Sequence, residues 1–248
     1  MSEQSSGTGE FASSAAGGEV PSRLAHLVGD FGPIHPGAEP QMVGMRDGVR
    51  LATDVYLPQP LRGRAPAVLL RTCYDKCGPL MSLPATATVL AAAGYVAVVQ
   101  DVRGRFRSEG ERLPFFHELA DGYDTLNWIE RQPWSNGIVG MLGTSYLGFA
   151  QWAAAAGGHP ALRALSLAVT SQLVPTTWWG PRLAAPAGTE WLVDEWSCPT
   201  RLEGRALDWT QRPFADVVPA DLPNARALLG LMRRLGGDPA ALQARAFP

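Results

Sequence analysis

The chain has 248 residues, enough for one large domain or a domain with an elaborate cap, and enough to bury a sizeable core. Lys and Arg number 21 against 23 Asp and Glu, a net charge of -2, with 18% charged and 46% hydrophobic residues. This balance excludes a strongly positive surface for nucleic acid or anionic membrane, and it excludes a wholly disordered chain. No run approaches the roughly 18 apolar residues of a membrane span. Three cysteines, an odd number, speak against a disulfide framework and for a reducing cytoplasm. Lys76 is a single lysine among many arginines, which reads as compositional bias rather than function.

Residues 1–40 read as a disordered or extended N-terminal segment. The stretch to about Val20 is Ser, Gly, Ala and Glu, with no basic region leading into an apolar one, so it is not a secretory signal. Folded sequence is expected from about Met42, and residues 41–170 read as the N-terminal part of an α/β domain. Met42–Arg46 and Leu51–Leu57, separated by Asp47-Gly48, predict a β-hairpin. Ala67–Thr72 is an apolar run suited to a strand buried on both faces. Ala85–Ala93 predicts a helix stopped by Gly94, and Tyr95–Asp101 a second buried strand. Asp121–Arg131 sets Tyr123, Leu126 and Ile129 on one helical stripe, ended by Pro133. Ile138–Gly143 predicts a strand, Tyr146–Ala156 a helix and Leu162–Val169 a strand. This alternation predicts a mostly parallel sheet with helices on both faces. Residues 171–248 change character, with Pro, Trp and short amphipathic pieces, and read as a partial helical cap.

Ser145 lies where the predicted strand IVGMLG meets the predicted helix YLGFAQWAAAA. Parallel sheets bind ligands beyond the carboxyl ends of their strands, so this turn stands at the functional edge. A serine in a sharp strand-to-helix turn presents its Oγ outward, with the Tyr146 amide at the helix N-terminus aimed at a developing oxyanion. The generic pattern G-x-S-x-G asks for glycine at 147, whereas here Leu147 stands there and glycine follows at 148. A serine N-cap with a nearby glycine is the competing reading.

Four segments occur in one order: MRDGVRLATDVYLP, PAVLLRTCYDK, GYVAVVQDVRGRFRSEG and DGYDTLNWIERQPWSNGIVGMLGTSYLGFAQWAAA. On these the sequence resembles the cocaine-esterase-like (CocE/NonD) hydrolases, which share an α/β-hydrolase domain with the Xaa-Pro dipeptidyl peptidases. The resemblance covers about residues 41–180. It implies a serine hydrolase of small-molecule esters or amides working through an acyl-enzyme, without cofactor or metal. It implies Ser145 as nucleophile, and Tyr74 with the Tyr146 backbone N–H as the oxyanion hole. It also implies Trp178 as an aromatic of the acyl pocket, against a buried cap tryptophan as the plain alternative. Asp101, Arg103, Ser108 and Glu109 read as structure rather than catalysis, with Asp101 and Arg103 expected to pair.

A serine nucleophile needs a base within hydrogen-bond reach and an acid to orient that base. The family's acid lies in a G-x-x-D context and its histidine in G-x-W-x-H, and neither follows Ser145 here. His159 ends the helix that Ser145 begins, about 21 Å away at 1.5 Å per residue. His117 falls in a polar loop on the active-site side and reads as solvated. Cys73 and Cys77 read as incidental thiols. The chain is therefore expected to be truncated inside the cap, with the last core strands missing and an open sheet edge that invites self-association. Three readings stand: a hydrolase completed by further sequence, an inactive fragment stable only with a partner chain, and a self-sufficient variant using His117.

Overall fold

The computed structural model describes residues 33–111 and 115–170. Most of the N-terminal segment expected over 1–40 lies outside the described residues, as do the cap expected over 171–248 and Trp178. Nine elements follow in chain order: β1 (Glu39–Gly44), β2 (Arg50–Tyr56), β3 (Ala65–Thr72), α1 (Leu83–Ala92), β4 (Val96–Asp101), α2 (Glu118–Glu130), β5 (Ser135–Thr144), α3 (Tyr146–Ala156) and β6 (Leu162–Ala168). Each strand and helix predicted between residues 42 and 169 is present.

The boundaries move for physical reasons. The strand β1 starts at Glu39 rather than Met42, because Glu39 is already in register with Val55 of β2. Its hairpin turns at Gly48, whose φ of 86° needs glycine, while Asp47 Oδ1 accepts the Val49 amide at 3.2 Å. Helix α1 admits Pro84 in its first turn, where the missing N–H would have had no intrahelical acceptor. Helix α2 starts at Glu118, three residues before the apolar stripe predicts, because the side chains of Glu118 and Asp121 point inward and are buried. The buried stripe of α2 is Gly122, Thr125, Leu126 and Ile129, with Tyr123 only half-buried.

The sheet runs β1-β2-β4-β3-β5-β6. Strands β4, β3, β5 and β6 are mutually parallel, and the β1–β2 hairpin adds an antiparallel edge. Alternate residues of β4 serve two cores. Ala97 and Val99 pack with Leu83 and Ala87 of α1, whereas Val96 and Val98 pack with Leu126 and Ile129 of α2 and Ala154 of α3. Helices therefore cover both faces, as expected of an α/β-hydrolase sheet. Helices α2 and α3 approach closely: a Cβ on Gly122 would lie 3.0 Å from Ala154 Cβ.

The strand order also points to a candidate site. After β3 the chain crosses to β4 on one side, and after β5 it crosses to β6 on the other. Adjacent β3 and β5 thus form the topological switch point, and their carboxyl ends open a crevice between diverging connections.

Candidate active site

Ser145 stands at the end of β5, and its backbone is held in an unusual conformation, with φ 56° and ψ -122°. A non-glycine residue at positive φ stores strain, which persists only where the surroundings over-determine it. Here the Ser145 amide donates to Ala168 O at 3.1 Å, and its carbonyl accepts the Gly148 and Phe149 amides at 2.9 and 3.1 Å. Glycines complete the turn. A Cβ on Gly143 (φ 150°) would come within 2.4 Å of Leu147 Cβ. A Cβ on Gly148 would meet the Thr170 side chain at 2.6 Å, so glycine at 148 lets the exit of β6 pack against α3. That contact is the local reason for the S-Y-L-G order.

Tyr74 follows β3 across the crevice. Its hydroxyl lies 3.3 Å from Ser145 Oγ, a distance at which either oxygen serves as donor. The loop carrying it is pinned from several directions. Thr72 Oγ1 accepts the Tyr74 amide at 3.0 Å, and Arg105 Nε donates to Cys73 O at 3.0 Å. Asp101 Oδ1 accepts the Lys76 amide at 2.7 Å, and Asp75 Oδ1 accepts the Cys77 amide at 2.9 Å. Tyr74 is buried except for a small part of its surface, and Ser145 is half-buried.

Tyr146 opens α3 with its ring buried against Phe115, centroids 5.1 Å apart. Its hydroxyl donates to Glu118 Oε1 at 2.6 Å and accepts the Phe115 amide at 3.1 Å. Burial and the Glu118 carboxylate hold the Tyr146 phenol well above its usual range, so it stays protonated. Behind it, Arg71 Nη1 lies 2.7 Å from Glu118 Oε2, with both side chains buried.

The expected Asp101–Arg103 pair is not formed. Arg103 donates instead to Asp121 at 2.6 Å and to Asp47 at 2.7 Å, which ties the loop after β4 to α2 and to the hairpin turn. Asp101 points away, toward the Tyr74 loop. Its burial, and then the nearby Asp75, push the Asp101 carboxyl up to about 8. Ser108 Oγ donates to Asp101 O at 2.6 Å and accepts the Ala52 amide at 2.8 Å, and Glu109 pairs with Arg50.

Lys76 has a structural partner that composition does not show. Its ammonium is buried and lies 2.6 Å from Asp54 Oδ2. Beside it, Cys77 Sγ contacts Lys76 Nζ at 3.5 Å and Asp54 Oδ2 at 3.4 Å, and burial pushes the Cys77 thiol up to about 11. Neither Cys73 nor Cys77 forms a disulfide. The described residues contain no group of three His, Cys, Asp or Glu side chains able to hold a metal.

Among the described residues no histidine nitrogen is within hydrogen-bond distance of Ser145 Oγ. His159 is spoken for elsewhere: Nδ1 accepts the Ala161 amide at 3.1 Å, and its ring meets Tyr123 edge-on at 4.7 Å. His117 precedes α2 and contributes its carbonyl to the Asp121 amide. His35 sits against Tyr56, and His26 lies outside the described residues. The network that sequence reasoning missed is Arg71–Glu118–Tyr146. An arginine within the apolar run AVLLRT was its available signal, since a charged residue in a doubly buried strand needs a buried partner.

Residues 47–244, most of the chain, match the X-Pro dipeptidyl-peptidase (S15 family). The chain is 45% identical over 143 residues to the cocaine esterase of a Rhodococcus species, covering 56% of this chain and 25% of that protein. Among solved structures, an α-amino acid ester hydrolase is 36% identical, with a TM-score of 0.47, over 52% of this chain and 24% of the other. A CocE/NonD family hydrolase from Staphylococcus aureus is 29% identical, with a TM-score of 0.46, over 51% and 26%. The chain thus spans about a quarter of the length of these relatives. No helix among the described residues is long and apolar enough to cross a membrane. With the strand-to-helix serine turn in place and the family match running through and beyond it, the chain belongs to the X-Pro dipeptidyl-peptidase (S15) family.

Proposed function

We propose that the chain carries the nucleophile and oxyanion-binding part of a serine hydrolase acting on small-molecule esters or amides. The observation that supports this most directly is the 3.3 Å approach of Tyr74 Oη to Ser145 Oγ across the β3/β5 crevice. In this reading Ser145 Oγ attacks the acyl carbon and loses its proton to a base. The carbonyl oxygen becomes an anion, stabilised by the Tyr74 hydroxyl and the Tyr146 amide. Collapse expels the alcohol or amine and leaves the acyl group on Ser145 for water to remove. Trp178 is assigned to the acyl pocket on family resemblance. Cys73 and Cys77 without a disulfide fit a cytoplasmic setting.

One observation favours a second reading. Ser145 Oγ has no histidine partner among the described residues, and an unactivated serine hydroxyl is a weak nucleophile at neutral pH. The chain would then be catalytically inactive by itself and stable only with a partner chain. Fluorophosphonate labelling of the 248-residue chain separates the two, with mass spectrometry to locate the adduct and Ser145→Ala as control. Stoichiometric labelling at Ser145 is the expected outcome of the first reading. A folded sample that does not label establishes the second.

A further inference from the structure

Beneath the proposed oxyanion site lies a polar chain that the acyl-transfer reading leaves without a role. Arg71 on β3, Glu118 at the start of α2 and Tyr146 at the start of α3 come from three separate elements and meet in the core. Arg71 is fully buried and Glu118 is 2% exposed. Arg71 is itself held by Gln100 Oε1 at 2.9 Å and by the Glu118 carbonyl at 3.0 Å. A buried ion pair contributes little net stability compared with a well-packed apolar pair, so its presence under a strained turn calls for another use.

We propose that Glu118, held by Arg71, is a positioning residue that fixes the Tyr146 amide in the oxyanion site. The proposal rests on the acyl-enzyme reading of Ser145. The Tyr146 ring has only two rotatable side-chain bonds, it is packed against Phe115 and Phe149, and its far end is tethered by two hydrogen bonds. With the ring locked at both ends, the Cα of the first residue of α3 cannot swing, and the peptide joining Ser145 to Tyr146 keeps its direction. Phe115 belongs to the same device. It holds φ 74°, and its amide donates to the Tyr146 hydroxyl, so the segment entering α2 is moulded around that oxygen. An oxyanion donor acts through placement to within a few tenths of an ångström, which is why such a tether bears on rate.

The test compares Tyr146→Phe, Glu118→Gln and Glu118→Leu with the parent chain. Tyr146→Phe retains the amide and the ring stacking and removes only the tether. Fluorophosphonate inactivation is resolved into a binding constant and a maximal rate. The expected result for Tyr146→Phe is a maximal rate lowered by about tenfold or more, with binding constant and labelling stoichiometry unchanged. Glu118→Gln keeps an oxygen acceptor and is expected to retain more of that rate than Glu118→Leu. A rate unchanged in Tyr146→Phe overturns the proposal. So does a loss confined to stoichiometry, which is what a purely structural role produces. If the parent chain does not label, the acyl-enzyme reading fails, and amide hydrogen exchange then decides the positioning alone. Protection lost by about tenfold over residues 145–149 in Tyr146→Phe, with β3 and β4 unchanged, supports the tether; unchanged protection there overturns it.

Discussion

In the proposed acyl transfer, the chemistry turns on two atoms, the oxygen of Tyr74 and the oxygen of Ser145. At 3.3 Å they form a long hydrogen bond in the resting site, of the kind that tightens when charge develops beside the nucleophile. Phenylalanine at 74 keeps the ring and removes the donor. In a sample that labels, Tyr74→Phe is expected to slow phosphonylation of Ser145 by about a hundredfold, the loss typical of one oxyanion donor. A time course of probe incorporation reads this, and an unchanged rate would remove Tyr74 from the oxyanion hole. Tyr74 was legible from the sequence only by its place in R-T-x-Y-D-K. Nothing in its own chemistry distinguishes it from a surface tyrosine. By contrast, Arg103 shows how adjacency misleads. It follows Asp101 by two residues, yet a strand end sends the two side chains apart, and partners 56 and 18 residues away in sequence receive the guanidinium.

At the scale of elements, helix α3 and the exit of strand β6 approach closely at Gly148, while Gln151 bonds the Ser166 backbone of β6. A Cβ on Gly148 would sit 2.6 Å from the Cβ and Cγ2 of Thr170, which belong to a short, branched side chain with little room to yield. Gly148→Ala should therefore push the exit of β6 away from α3 and destabilise the chain by about 1–3 kcal/mol, as overpacking does. Urea denaturation followed by circular dichroism measures this, and a midpoint equal to that of the parent chain would show that Thr170 moves freely. The elements themselves were readable in advance, because buried strands such as Val96–Asp101 and the helix Tyr146–Ala156 carry long uninterrupted apolar patterns. Helix α2 was less so. Its first turn buries Glu118 and Asp121, whose inward direction depends on Arg71 and Arg103 arriving from other elements.

For the whole molecule, the buried Asp101 carboxyl ties stability to pH. Its ordinary value of 3.8 is raised to about 8, chiefly by burial, so between these limits the folded chain holds a proton that the unfolded chain releases. Unfolding then releases a proton, and rising pH favours unfolding. Stability from this group is fully present below about pH 4 and is lost as pH rises through about 8, by on the order of a few kcal/mol. Asp47 and Asp124 act in the opposite direction: Arg103 holds Asp47 low, and Arg46 offsets the burial of Asp124 and holds it low, so their contribution fades as the medium becomes acidic. Asp101→Asn should flatten the decline between pH 5 and pH 8, an outcome read by denaturant titration at each pH. A slope unchanged by the substitution would mean that another group carries it.

Hydrophobic periodicity and turn chemistry are local, and they were enough to lay out every described strand and helix and to set Ser145 in a strand-to-helix turn. Family resemblance added the pairing of Ser145 with Tyr74, which are 71 residues apart. What only the tertiary structure decided is long-range and polar. Strand order places the ends of β3 and β5 side by side at the switch point. Close packing at Gly143 and Gly148 explains which positions in the turn must lack a Cβ. Buried charges found partners that no spacing rule could name: Arg71 with Glu118, Lys76 with Asp54, and Arg103 with Asp121. The reason is physical. Apolar burial is non-directional and leaves a periodic trace along the chain, whereas a buried charge is satisfied by whichever partner the fold carries to within about 3 Å.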